Sequence, residues 1–299
     1  MFRCDDTARL LAFFLADPVR FRHLLHDLDS PCPAWDEAMG CVDYVSREGG
    51  FIMRDAQPAE ERVEREYYVD SLEEISLVAQ VRGRHVRVEG CMTEEQASRF
   101  VAWCRGRGIE TIETWSEAVH DHLSTAGLSP WKLGGGEYTT SGPQFQGKIE
   151  HLVRRLTAGD EGIWRAFVER NASDPMVNAQ PGGQAAVRDF VFMCKGLPVD
   201  YYAAIEEGEI AGVAGVNPMT RTVDEIGMLF VEPRHRRKGY AQSLMTAATQ
   251  DILSRGRLPV YAAGGNPSER PDLHAMLTGL GYRLVVCARQ TRLAGCTPS

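Results

Sequence analysis

Apolar and polar positions in the second half of the chain change period in a fixed order. Ile149 to Leu156 has the character of a first strand. Thr157 followed three residues later by Asp160 makes a helix cap, and Ile163, Trp164 and Phe167 mark the buried face of the helix after it. Tyr201 to Ile205 and Ile210 to Val216 flank Glu206-Glu207-Gly208-Glu209, a hairpin pattern. Ile226 to Val231 is an apolar run fit for a buried strand, stopped by Pro233, which cannot donate to a sheet ladder. Ala241, Leu244, Met245, Ala248 and Ile252 then lie on one helical face, with Gly256 where that helix should end. Val260 to Ala263 predicts a short strand, Asp272 to Thr278 a helix, and Leu284 to Cys287 a last strand.

The first half repeats part of this plan. Arg84 to Glu89 alternates like a strand, and Thr93 with Gln96 forms a capping box. Ala97, Phe100, Val101 and Cys104 trace a helical face closed by Gly106 and Gly108. Ile109 to Trp115 alternates again, and a helix runs on towards Gly127. Its ending, Leu123-Ser124-Thr125-Ala126-Gly127-Leu128, echoes Leu277-Thr278-Gly279-Leu280-Gly281-Tyr282. Corresponding pieces stand about 150 residues apart, roughly half the chain, as an internal duplication gives. A shared strand-helix-strand run between any two α/β domains is the other explanation. Trp131, Gly134, Gly135, Gly136 and Pro143 mark the stretch from Leu128 to Pro143 as the connection between halves.

Length and composition fit this picture. A chain of 299 residues has room for two domains, and 43% hydrophobic with 25% charged residues is the balance of a soluble globular protein. A net charge of −8 argues against general nucleic-acid binding, which needs a basic surface, and suits a cationic substrate. The eight cysteines form no Cys-x-x-Cys pair and no metal-ligand spacing, so they read as reduced thiols, and no metal is expected. The apolar run Leu10 to Ala16 is too short to span a membrane, and Asp5 and Asp6 spoil the positive region of a signal peptide. A cytoplasmic protein is the expectation.

The chemistry concentrates between the strand at Val231 and the helix at Ala241. Arg234, His235, Arg236, Arg237 and Lys238 precede Gly239 in a turn that opens a helix. Unpaired N–H groups and the positive dipole end of that helix, a glycine that admits close approach, and nearby cations together describe an anion site, suited to a pyrophosphate. A solvated basic turn has the same composition. No Gly-Lys-(Ser/Thr) closes the turn as in a P-loop, and the three spaced glycines of a dinucleotide-binding fold are absent.

Arg236-x-x-Gly239-x-Ala241 matches the (Gln/Arg)-x-x-Gly-x-(Gly/Ala) signature of the GNAT superfamily, the acetyl-CoA-dependent N-acetyltransferases, and residues 148–295 resemble that family in element order. Gly281-Tyr282 is similar to its usual Gly-Phe pair. The resemblance implies an α/β (α+β) fold of two GNAT-like domains, each a mixed, mostly antiparallel sheet flanked by helices: residues 1–145 as a degenerate domain, with only Gly90-Cys91-Met92 where a signature would stand, and residues 146–299 as the acetyltransferase domain. It implies acetyl-CoA as co-substrate and a small-molecule or peptide amine as acceptor, with no nucleic acid or membrane partner, in a monomer or homodimer. The amides of Arg236, Arg237, Lys238, Gly239, Tyr240 and Ala241 would hold the pyrophosphate, Leu229 and Val231 would pair with the pantetheine arm, and Asn266 would contact it or serve as a turn residue before Pro267. Arg234 and Lys238 would reach further phosphate oxygens or stand as solvated cations.

Glu225, at the head of the strand, resembles the family's general-base glutamate. Its other reading is a surface carboxylate paired with Arg221. The chain departs from the pattern at Leu277, where many members carry a tyrosine that protonates the leaving thiolate; His274 and Tyr282 are the nearest donors. The alternative function is a non-catalytic protein that senses an acyl-CoA. Acceptor choice would fall to Asn171–Val187 and Leu128–Gly147, read as loops.

Overall fold

The computed structural model describes residues 1–29, 44–47, 50–53, 65–126, 128–172, 174 and 200–293. They form one twelve-stranded sheet, flanked by helices, and a separate two-stranded ribbon, β2 (Tyr44–Arg47) with β3 (Gly50–Met53). The first half contributes β1 (Phe2–Arg3), β4 (Arg65–Val69), β5 (Leu77–Arg82), β6 (His85–Gly90), β7 (Thr111–Thr114) and β8 (Lys132–Thr139), with helices α1 (Thr7–Leu15), α2 (Arg22–Asp29), α3 (Glu94–Gly106) and α4 (Glu117–Leu123). The second half contributes β9 (Val153–Arg155), β10 (Asp200–Glu206), β11 (Glu209–Pro218), β12 (Val223–Val231), β13 (Leu258–Ala262) and β14 (Arg283–Arg292), with α5 (Glu161–Arg170), α6 (Tyr240–Ser254) and α7 (Pro271–Gly279).

Local chemistry accounts for the element ends. Thr93 and Gln96 close the expected capping box on α3, and Thr157 and Asp160 close another ahead of α5. Gly256 ends α6 at φ 70°, the left-handed conformation that glycine adopts without a Cβ penalty. The amphipathic face read for α6 is the buried one: Leu244, Met245, Ala248 and Ile252 are fully enclosed. Each of the three larger side chains contributes about 1.5–3 kcal/mol by leaving water.

The sheet runs β1-β4-β5-β6-β7-β14-β8-β13-β12-β11-β10-β9. Each half's last strand crosses to the other. β8 pairs antiparallel with β13, β14 pairs antiparallel with β7, and the two pair with each other at the centre. The halves are thus related about the β8–β14 seam. A sheet continuous through exchanged strands gives neither half a free edge there.

This exchange corrects the reading of Leu128 to Pro143 as a connection. The stretch is a central strand, and its three glycines are packing residues rather than linker residues. A Cβ on Gly135 would stand 2.0 Å from the Ala263 carbonyl oxygen, and one on Gly134 would stand 3.0 Å from Ala288 Cβ. Glycine in a strand marks a close backbone approach, which composition alone does not distinguish from a turn. The true crossing segment is shorter, with the strand expected from Ile149 reduced to Val153–Arg155. Of the two expected acceptor loops, most of Asn171–Val187 lies outside the described residues, and Leu128–Gly147 contains β8.

Candidate functional site

β12 and β13 run parallel and pair only from Val223↔Leu258 to Ile226↔Tyr261. Gly227 to Val231 continue without a partner from β13, so the strands part and leave a notch. The parting coincides with a bulge: Met228 takes φ 46°, and the register with β11 shifts between Val213 and Gly215. Beyond the bulge, Glu232 N–H donates to the Ala211 carbonyl at 2.9 Å. Antiparallel alternation therefore turns the N–H and C=O of Val231 away from β11, towards the notch. Arg236 Nε donates to the Val231 carbonyl at 3.0 Å, leaving the N–H as the group presented to the open side.

Above the notch a cavity of about 470 Å³ is lined by Val231, His235, Arg236, Arg237, Gly239, Tyr240, Ala241 and Gln242, with Asp272 and Met276 of α7 on its other wall. Gly239 sits at φ 86° as the residue before α6, and no side chain caps the helix. The first-turn amides are thus available to an anion. A coenzyme pyrophosphate fits the donors on this wall, which are uncapped first-turn N–H groups beside the cations Arg236 and Arg237.

The five cationic positions are not equivalent. Arg234 pairs with Glu232 at 2.9 Å and Glu209 at 2.8 Å, and His235 pairs with Glu206 at 2.7 Å. Arg236 lies 3.5 Å from Asp174. Glu232 is buried, and Asn171, Arg234 and Arg170 outweigh that burial and hold its carboxyl below the usual range. Arg237 and Lys238 make no ion pair among the described residues, and of the two Arg237 lines the cavity. Tyr240 is pushed up to about 12 by burial and by its hydrogen bond to Glu206, so it stays a neutral phenol.

Glu225 pairs with Val260, one step before the last pair at the notch, its side chain 17% exposed. Its partner is Arg22, not Arg221. Arg22 Nε and Nη2 donate to Glu225 Oε2 at 3.2 and 3.0 Å. The same guanidinium, fully buried, also contacts Glu137 of β8, and His23 Nε2 lies 3.1 Å from Glu137 Oε1. Burial lowers the Arg22 pKa and Glu225 pulls it back. The first half and the exchanged strand thus supply the surroundings of the candidate base. Val19, just ahead of α2, packs on Val223 and Val260 and brings Arg22 over the second half.

Leu229 is partly buried against the core beneath α6. Asn266 turns its Oδ1 to the N–H groups of Ser268 and Glu269 at 3.1 and 3.2 Å, building the turn into α7. Leu277 is fully buried, whereas His274, nearer the start of α7, meets Tyr138 Oη of β8 at 3.1 Å. Tyr282 is enclosed, 2.5 Å from Thr249 Oγ1.

Sequence reasoning did not reach Arg22, Glu137 or His151. Arg22 carried one signal: a cation at a helix N-terminus opposes the helix dipole and calls for a carboxylate nearby. Glu137 carried another, as a charge between glycines and aromatics in what is now a central strand.

The equivalent opening in the first half is closed. β6 and β7 pair in parallel from His85↔Thr111 to Arg87↔Glu113, and beyond that point Glu89 spans the gap. Trp115 N–H donates to Glu89 Oε1 at 2.7 Å, while Ser116 Oγ and Arg20 Nη2 donate to the Gly90 carbonyl at 2.9 and 3.0 Å. Burial pushes Glu89 up to about 8, with the Trp115 amide and Arg20 pulling the other way. For Glu113, burial is outweighed by Arg87 and His85, which hold it well below the carboxylate range. A carboxyl raised on folding favours the fold while protonated, so stability is full below about 4.5 and is lost as pH rises towards about 8. Denaturant unfolding from pH 4.5 to 8.5 should show that loss, up to about 5 kcal/mol, and Glu89→Gln should flatten it.

Among the described residues, no helix is long and apolar enough to cross a membrane, and no cluster of His, Cys, Asp and Glu is arranged to hold a metal.

A notch between parting parallel strands, opening on a glycine turn at a helix start, is the arrangement of the GNAT acyltransferases. Residues 164–282 match the model of the Acetyltransferase (GNAT) family, and this segment is a GNAT domain. Solved structures extend the likeness of fold across the chain. An acetyltransferase of the GNAT family from Colwellia psychrerythraea superposes with a TM-score of 0.57 at 10% identity, covering 93% of this chain and 97% of that one. A Drosophila protein gives 0.51 at 14% identity, covering 98% and 97%. A GCN5-related N-acetyltransferase from Sphaerobacter thermophilus gives 0.50 at 15% identity, covering 77% and 80%. No curated protein matches the chain.

Proposed function

We propose that the protein is an N-acetyltransferase that moves an acetyl group from acetyl-CoA to a primary amine by direct attack. The notch between β12 and β13, open at Val231 and leading to the Gly239 turn, is the observation that carries this reading. Bound acetyl-CoA supplies the activated acyl group. The first-turn amides of α6, with Arg237, hold its pyrophosphate, and the strand edge at Val231 lies along its pantetheine arm. The outward N–H of Val231 is the donor suited to negative charge developing on an acyl oxygen.

The acceptor must be neutral to attack, whereas an alkylamine with a pKa near ~10.4 is mostly protonated at neutral pH. Glu225 receives that proton, directly or through a water, by the oxygen that Arg22 does not engage. The acidic surroundings, Glu225 and Glu137 against a single Arg22, suit a cationic amine. The protein acts in the cytoplasm, as a monomer or a homodimer.

A panel of primary amines with acetyl-CoA, read by thiol release and by a mass gain on the amine, separates this reading from acyl-CoA sensing. The expected result is turnover with at least one amine, lowered in Glu225→Gln by about 100-fold or more at neutral pH with coenzyme affinity unchanged. Coenzyme binding without turnover across the panel would favour the sensor. Equal turnover in Glu225→Gln would remove Glu225 from the chemistry.

A further inference from the structure

The segment that joins the halves lies along α6. A Cβ on Gly147 would stand 2.4 Å from Thr246 Oγ1, and Glu150 N–H donates to Ser243 Oγ at 3.1 Å. His151 follows at the signature turn itself. Contacts at 239, 243 and 246 fall on one helical face, so the segment runs antiparallel to α6 as a strap that ends on Gly239.

His151 Nε2 lies 2.6 Å from the Lys238 carbonyl oxygen. A carbonyl only accepts, so the Nε2 position carries the proton. The imidazole also stacks on the Tyr240 ring, centroids 3.8 Å apart and planes within 21°. Neither His151 nor Lys238 lines the cavity, so this contact is on the reverse side of the turn. In a trans peptide the C=O of one residue and the N–H of the next point in opposite directions. Holding the Lys238 carbonyl towards His151 therefore turns the Gly239 N–H towards the cavity. Arg237 at φ 62° and Gly239 at φ 86° make this a turn whose peptides need such fixing.

We propose that His151 is a positioning residue of the coenzyme turn, aiming the Gly239 amide at the bound pyrophosphate through its hydrogen bond to Lys238. The inference rests on the coenzyme reading above, and its test does not need an acceptor. Coenzyme A is titrated calorimetrically into wild type, His151→Phe, which keeps the stack and loses the donor, and His151→Gln, which keeps a donor without the ring. The Gly239 amide is followed in ¹⁵N-glycine-labelled protein, and melting temperatures are taken alongside.

His151→Phe should bind coenzyme A about tenfold more weakly, the loss of one net hydrogen bond, with His151→Gln within about threefold of wild type. The Gly239 resonance should move on binding in wild type and His151→Gln but not in His151→Phe, at unchanged melting temperature. Equal affinity in wild type and His151→Phe would overturn the proposal and leave the coenzyme site standing. Equal weakening in both variants would also overturn it, assigning the effect to the ring stack. No binding by wild type would bring down the coenzyme reading, and this proposal with it.

Discussion

Gly239→Glu abolishes coenzyme A binding, with an affinity loss of at least about 100-fold by calorimetry. Three effects act together. A residue with a Cβ resists the left-handed conformation by about 1–2 kcal/mol, and Gly239 holds φ 86°. The new Cβ would meet His151 Nε2 at 3.3 Å and Glu150 Oε2 at 3.6 Å, disturbing the reverse side of the turn. The added carboxylate would stand beside Glu150, setting a second negative charge against the turn that must receive the pyrophosphate. Gly239→Ala carries the first two effects and not the third, so it should lose less. If both variants bind as wild type does, the anion lies elsewhere.

Arg22→Met is expected to give the largest loss of stability. The guanidinium is fully buried and answers two carboxylates, Glu137 and Glu225, from opposite halves of the chain. Removing one partner of a buried ion pair costs about 3–5 kcal/mol, because the charge left behind must be protonated or stay unpaired. For a chain of this size that corresponds to a fall of about 5–8 °C in melting temperature. The variant Glu137→Gln combined with Arg22→Met should recover part of the loss, since one stranded charge is gone. A melting temperature within about 1 °C of wild type would mean that the guanidinium does not hold the halves together.

Legibility followed the range of the interactions. The strands and helices from Tyr201 onward could be read because local pattern and burial agree there: the hairpin of Tyr201–Ile205 with Ile210–Val216, the helical face from Ala241 to Ile252 and the glycine stop at Gly256 all reappear in place. The Gly239 turn was legible for the same reason, since strand, turn and helix start are contiguous. What stayed hidden depends on contacts between distant residues. β8 reads as a linker until Ala263 and Ala288 approach its glycines, and those partners are over 120 residues away. The pairing of Glu225 with Arg22 spans 203 residues, and no periodicity records it. The cationic turn read as five charges for a ligand, but Arg234 is engaged by Glu232 within the turn and by Glu209 of β11, and His235 by Glu206 of β10.

On the proposed function, one chain carries one coenzyme site, in the notch of its second half. Calorimetric titration of the wild-type protein with acetyl-CoA tests this most directly. Saturable binding with one site per chain is the expected result, because Glu89, Ser116 and Arg20 fill the matching gap in the first half. Two sites per chain would contradict the closed first half, and no binding would contradict the coenzyme site itself.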